Sequence, residues 1–207
     1  MFINRRKKEL SLKIVYYGPA LSGKTTNLEY IHAHTNPGMR GDLVSLKTRE
    51  DRTIFFDYLM LEVGQVAGLT PKFNLYTVPG QVYYASTRKL VLQGADGIVF
   101  VADSQPHRME ANLEGLRDMA TYMRQMGLDP RQIPVIIQFN KQDLAEALSP
   151  SQIRRGLKLQ NTTLTCLDAS ALYGEGVFDT LKTIINSVIK QVQRQIRQRE
   201  TQRALVH

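Results

Sequence analysis

Residues 12–25, LKIVYYGPALSGKT, run a short apolar stretch straight into a turn framed by glycines and closed by Lys-Thr. The second half, Gly18 to Thr25, matches G-x-x-x-x-G-K-[ST], and its setting of strand before and helix after is the one that gives this pattern meaning. Gly18 and Gly23 allow backbone N–H groups to turn inward around phosphate oxygens, and the N-terminus of the following helix adds partial positive charge. Lys24 can reach the β- and γ-phosphates, and the Thr25 hydroxyl can ligate Mg²⁺. The candidate phosphate-binding positions are therefore Gly18, Ala20, Leu21, Ser22, Gly23, Lys24, Thr25 and Thr26. So far the pattern specifies a nucleoside triphosphate and leaves the base open.

Outward from this stretch, short apolar runs alternate with amphipathic ones. Residues 12–17, 97–102, 134–139 and 164–167 read as buried strands, rich in β-branched residues and too short for buried helices. Residues 53–63 and 72–78 flank a turn region and read as an antiparallel hairpin. Helices are predicted over 25–34, 83–92, 108–126, 151–158 and 177–199. Gly115 weakens the third by about 1 kcal/mol relative to alanine. In the last, Ile184, Ile185, Val188, Ile189, Val192 and Ile196 form one apolar stripe, and beyond Arg194 the sequence turns to Gln and Arg, where fraying is expected. This alternation predicts an α/β fold: three layers, doubly wound, with a mostly parallel sheet carrying one antiparallel strand.

The base is read further along. Residues 140–143, Asn-Lys-Gln-Asp, end a predicted buried strand and fit N-K-x-D. The Asp143 carboxylate can accept two hydrogen bonds from guanine, at N1–H and the 2-amino group, an edge on which adenine offers no such pair. Lys141 can lay its stem along the base, and Asn140 can tie this loop to the phosphate loop. A P-loop kinase or ATPase is disfavoured by these four residues. After the next strand, Ser170, Ala171 and Leu172 are similar to the S-A-[KL] loop, whose backbone amide meets guanine O6.

With these motifs in order, the chain resembles the Ras-like small GTPase superfamily over almost its entire length. Residues 13–19 (KIVYYGP), 51–58 (DRTIFFDY) and 77–81 (TVPGQ) narrow the resemblance to the MglA family of bacterial gliding-motility and cell-polarity GTPases. The resemblance implies a P-loop NTPase G domain that binds GTP or GDP with Mg²⁺. It implies that Thr53 ligates Mg²⁺ and senses the γ-phosphate, that the Gly80 N–H meets the same phosphate, that Gln81 orients the attacking water, and that Arg52 is a built-in arginine finger, with Arg49 the competitor. A roadblock-fold activating protein, MglB-like, is the implied partner, alongside effectors the sequence does not identify. One departure stands out. Most of the superfamily has D-x-x-G where this chain has Thr77, and a neutral hydroxyl cannot supply a carboxylate's charge beside Mg²⁺. Asp57 is the favoured replacement, with Asp103 the second candidate. Ala20, at a position that is often glycine, can crowd Gln81 and the finger. Hence two readings stay open: a hydrolytic switch that is slow until a partner orders its loops, and a GTP-locked binding module.

Composition sets the remaining bounds. The 207 residues, 43% hydrophobic and 22% charged, predict one globular domain over 1–207. No apolar run approaches the roughly 20 residues that span a bilayer, and the short apolar start followed by charges is not the order of a secretory signal. A single cysteine, Cys166, predicts a reducing, cytoplasmic setting and a core role. His32, His34, His107 and His207 show no zinc spacing. Of the net charge of +8, residues 1–9 carry +3 and residues 190–207 carry +4, so the middle is nearly neutral. The basic N-terminal segment, 1–9, and the basic helical extension, 194–207, are read either as solubilising ends or as a peripheral contact with an anionic membrane or a partner. Nucleic acid is disfavoured, since the ends carry no aromatic for base stacking beyond Phe2.

Overall fold

The structure is a computed structural model and describes residues 2–4, 6–46, 56–65, 68–80, 84–129 and 132–204. Among them eight strands form one sheet. They are β1 (Phe2–Asn4), β2 (Glu9–Tyr17), β3 (Val44–Leu46), β4 (Phe56–Glu62), β5 (Thr70–Thr77), β6 (Gly97–Asp103), β7 (Val135–Asn140) and β8 (Thr165–Asp168). Their order is β3-β4-β5-β2-β6-β7-β8. The run from β5 to β8 is parallel, and β4 runs against both neighbours. On one flank of β2 lies β5; on the other, β6 pairs with Ile14–Tyr17 while antiparallel β1 pairs with residues 9–11.

Helices α1 (Lys24–His34) and α5 (Val177–Ala204) cover one face of the sheet; α2 (Ala85–Leu92), α3 (Met109–Gln125) and α4 (Pro150–Gly156) cover the other. The period of two along β2 decides which side chain meets which layer. Leu10, Leu12, Ile14 and Tyr16 join Leu28, Ile31, Ile184 and Val188 in one core, whereas Val15 and Tyr17 join Val91, Leu92, Met119 and Ile153 in the other. This is the expected three-layer, doubly wound arrangement.

The expected strands are present, with shifted ends. The hairpin arms are Phe56–Glu62 and Thr70–Thr77; residues 53–55 lie outside the described set. Two strands escaped the sequence reading, β1 and β3, each three residues long and too short to show a period. The third helix carries Gly115 without a break, buried against Phe100 and Pro19. Helix α5 continues to Ala204, beyond the expected 199, and its stripe packs as read: Ile184, Ile185, Val188 and Val192 are buried, with Ile189 and Ile196 packed beside them. Among the described residues no helix is long and apolar enough to cross a membrane. Cys166 is half-buried and packs against the second core, where burial pushes its thiol up.

The two edges of the parallel sheet differ in kind. The C-terminal edge carries the motif loops after β2, β6, β7 and β8. Toward the N-terminal edge lie the exposed Arg6, Lys7 and Lys8 of the β1–β2 turn. Helix α5 descends to the same edge, for Gln191 and Gln195 line a cavity with Gly94 and Asp96, just before β6. Lys190, Arg194 and Arg197 on that part of α5 are exposed.

Candidate functional site

The phosphate loop leaves β2 at Tyr17 and enters α1 at Lys24. Its conformation depends on residues with positive φ: Gly18 at +149°, Leu21 at +63° and Gly23 at +95°. Both glycines are also hemmed in. A Cβ on Gly18 would stand 2.3 Å from the Val101 carbonyl oxygen, and one on Gly23 would stand 2.1 Å from Asn140 Nδ2. Helix α1 has no side-chain cap and no acidic residue in its first turn, so its N-terminal N–H groups face the loop without an internal anion. Lys24 is buried and donates to the carbonyls of Gly18 (3.0 Å) and Pro19 (2.6 Å). Burial lowers its pKa to about 7; nearby Arg88 and Arg108 add like charge, and Asp57 opposes them. A buried lysine amine among backbone carbonyls and basic neighbours suits an anionic ligand.

Beside the loop, Thr25, Asp57, Thr77 and Ser45 converge. Thr25 Oγ1 donates to Asp57 Oδ2 at 2.6 Å, Thr77 Oγ1 donates to the same oxygen at 2.9 Å, and Ser45 Oγ donates to Oδ1 at 2.7 Å. The Asp57 backbone N–H donates back to Thr77 Oγ1 at 2.8 Å. Thr77 thus orients a carboxylate on the neighbouring strand instead of providing one. These residues line a cavity of about 380 Å³ with Ala20, Lys24, Pro79 and Gly80. Its donor set is hydroxyl and carboxylate oxygen, which suits a hard cation such as Mg²⁺ completed by phosphate oxygens. Among the described residues no group of three or more His, Cys, Asp or Glu could hold a metal by itself. Asp103 faces elsewhere: its carboxylate receives Lys141 Nζ at 2.7 Å and lies 3.6 Å from Arg108 Nε.

The base-side loops close on the same loop. Asn140 Nδ2 donates to the Ser22 carbonyl at 2.8 Å, and Asn140 Oδ1 accepts the Ala171 N–H at 2.8 Å. One buried side chain therefore joins the loops after β2, β7 and β8. Lys141 adopts φ +68° and directs its amine to Asp103 and Gln105. The Asp143 carboxylate is exposed at the rim. Ser170 and Ala171 are buried and Leu172 is exposed; the hydroxyls of Ser22 and Ser170 are buried without a partner among the described residues. Beneath the site, Asn27 and Gln138 exchange two amide hydrogen bonds (2.9 and 3.0 Å) and Gln138 reaches Thr180, tying α1, β7 and α5 together.

Gly80 packs hard on the phosphate loop, where a Cβ would meet Ala20 N at 2.2 Å. Arg49, Arg52, Thr53 and Gln81 lie outside the described residues. Sequence reasoning missed Ser45, the bridging role of Thr77, Arg88 (buried, 3.3 Å from Asp118) and Arg108, which donates to the Ala20 carbonyl. Ser45, Arg88 and Arg108 belong to no contiguous motif, and the bridge made by Thr77 depends on a partner 20 residues away.

The model of the ADP-ribosylation factor family matches residues 1–188. The chain is 48% identical over 193 residues to the mutual gliding-motility protein MglA of Myxococcus xanthus, covering 93% of this chain and 98% of that protein. It is 28% identical to human ADP-ribosylation factor-like protein 4A, over 93% of this chain and 90% of that one. A Drosophila melanogaster ADP-ribosylation factor-like protein 2 is also 28% identical, with 90% and 92% covered. The fold and the phosphate loop define a P-loop nucleotide-binding protein, and the chain belongs to the ADP-ribosylation factor family of small GTPases, in the group that includes MglA.

Proposed function

We propose that this GTPase is a single-domain molecular switch that binds GTP or GDP together with Mg²⁺ and differs in shape between the two. The observation that carries this reading is the Asp57 carboxylate, bonded at once to Thr25 of the phosphate loop and to Thr77. Ser45 at β3 and Thr77 at the end of β5 meet the same carboxylate, so what binds at Thr25 bears on the strands that carry them. In this reading Thr25, Thr53 and Asp57 hold the metal, which when bound neutralises charge on the phosphate oxygens. Lys24 and the loop amides bind the polyphosphate. Asn140 positions the base loops, Asp143 selects guanine, Gly80 meets the γ-phosphate, Gln81 orients water, and Arg52 neutralises charge developing on the transferred group. Turnover is slow until a roadblock-fold partner orders the loops, and the process served is bacterial polarity or motility, with the basic ends in peripheral contact with an anionic membrane.

Nucleotide dissociation tests the reading. Asp57→Ala is expected to release GDP faster in the presence of Mg²⁺ and to lose sensitivity to a chelator, while Asp103→Ala keeps that sensitivity. Equal off-rates for wild type and Asp57→Ala, with and without chelator, would remove Asp57 from the metal site. Preferential binding of ATP in competition would overturn the guanine assignment. A second reading, a GTP-locked binding module, is favoured by the tight packing of Gly80 on Ala20. Single-turnover hydrolysis by Ala20→Gly separates the two: a faster rate means that the Ala20 methyl restrains catalysis, and an unchanged rate disposes of the crowding idea.

A further inference from the structure

The phosphate loop holds a conformation that its sequence does not favour. Leu21 sits at φ +63°, left-handed backbone that non-glycine residues occupy at a cost, and its side chain is 82% exposed, so burial does little to offset that cost. The carbonyl just before it, that of Ala20, accepts a hydrogen bond from Arg108 Nη2. Arg108 ends the short 3-10 turn Pro106–Arg108 between β6 and α3, 88 residues away in sequence. In a trans peptide the C=O of one residue and the N–H of the next point to opposite sides. A guanidinium that fixes the Ala20 carbonyl on its own side therefore fixes the Leu21 N–H on the other.

Arg108 is itself anchored. Its Nε lies 3.6 Å from Asp103 Oδ2, an ion pair too long for a hydrogen bond. The Asp103 side chain is 1% exposed, and its oxygens also receive Lys141 Nζ (2.7 Å) and the Gln105 N–H (3.1 Å). Asn112 grips the Asp103 backbone from both sides, accepting its N–H at 2.9 Å and donating to its carbonyl at 2.8 Å. The strap thus rests on a rigid, buried foundation at the end of β6.

We propose that Arg108 is a positioning residue that holds the phosphate loop in its anion-binding shape, presenting the Leu21 N–H to the polyphosphate beyond the α position. This rests on the nucleotide reading above. The test compares GMP and GDP affinities of the full chain with Mg²⁺, because only GDP has a β-phosphate for the loop to hold. Arg108→Gln is expected to weaken GDP roughly tenfold, the scale of one charged donor lost from a half-buried carbonyl, and to leave GMP within about twofold. Arg108→Lys, whose ammonium can still reach Ala20 but cannot fork to Asp103, is expected to lose a smaller factor for GDP, again with GMP unchanged. Arg108→Lys also serves if Arg108→Gln does not fold. Equal losses for GMP and GDP, or an unchanged GDP-to-GMP ratio in the variants, would overturn the proposal. If the wild-type chain binds neither nucleotide, the nucleotide reading itself falls; if it binds GDP and the variants match it, only this inference does.

Discussion

Asn140 uses both ends of its amide, donating to Ser22 and accepting from Ala171. Truncation to alanine leaves a buried carbonyl and a buried N–H unmet, each costing roughly 1–3 kcal/mol. Asn140→Ala should therefore release a fluorescent GDP analogue at least about tenfold faster; an unchanged off-rate would mean that the three loops keep their places without the amide. Lys24 gives a second prediction. Its pKa of about 7 stands below the ordinary lysine value because burial disfavours the charged form. Above pH 7 the nucleotide-free amine is mostly neutral, while a bound polyphosphate draws the proton back. Calorimetry at pH 8.5 in buffers of different ionisation enthalpy should read the uptake of close to one proton per nucleotide bound, and no uptake would refute the assignment. For folding, the unfolded chain holds this proton between pH 7 and 10.5 and the folded chain does not, so the nucleotide-free protein gains stability as pH rises through that window.

Among the elements, two glycines with opposite surroundings give opposite predictions. Gly115 lies inside α3, and a Cβ there would rest 3.6 Å from Phe100 and Pro19, an ordinary contact. Gly115→Ala should stabilise by about 0.5–1 kcal/mol through helix propensity, seen as a thermal midpoint raised by roughly 1–4 °C. Gly97 opens β6 beneath α5, where a Cβ would stand 2.6 Å from Val188 Cγ2. Gly97→Ala should therefore lower the midpoint through overpacking, at a cost of about 1–3 kcal/mol. In the Asn27–Gln138–Thr180 clasp, Gln138→Leu removes one partner from two buried groups and should cost roughly 2–4 kcal/mol. Denaturant unfolding reads all three. The elements themselves were largely legible, because buried parallel strands write apolar runs and covering helices write stripes. Strands β1 and β3 were not: a three-residue strand has too few side chains to reveal a period, and its existence depends on the partner it pairs with.

For the whole molecule, legibility followed distance along the chain. The phosphate loop and the Asn140–Asp143 turn were readable because each packs its chemistry into consecutive residues. Asp57 was reachable as the nearest acidic residue on an adjacent strand. The bridging by Thr77, the Ser45 hydroxyl and the Arg108 strap were not, since each arises when segments 12 to 88 residues apart are brought together by the sheet. What the sheet also brings together is charge. Arg6, Lys7 and Lys8 share the N-terminal edge with the exposed Lys190, Arg194 and Arg197, while the motif loops stand at the opposite edge. The N-terminal edge is therefore basic, and an anionic surface within a Debye length, about 8 Å at physiological salt, would draw that edge toward itself. The basic edge swings inward and the nucleotide edge swings out, leaving the latter open to the solution from which GTP arrives.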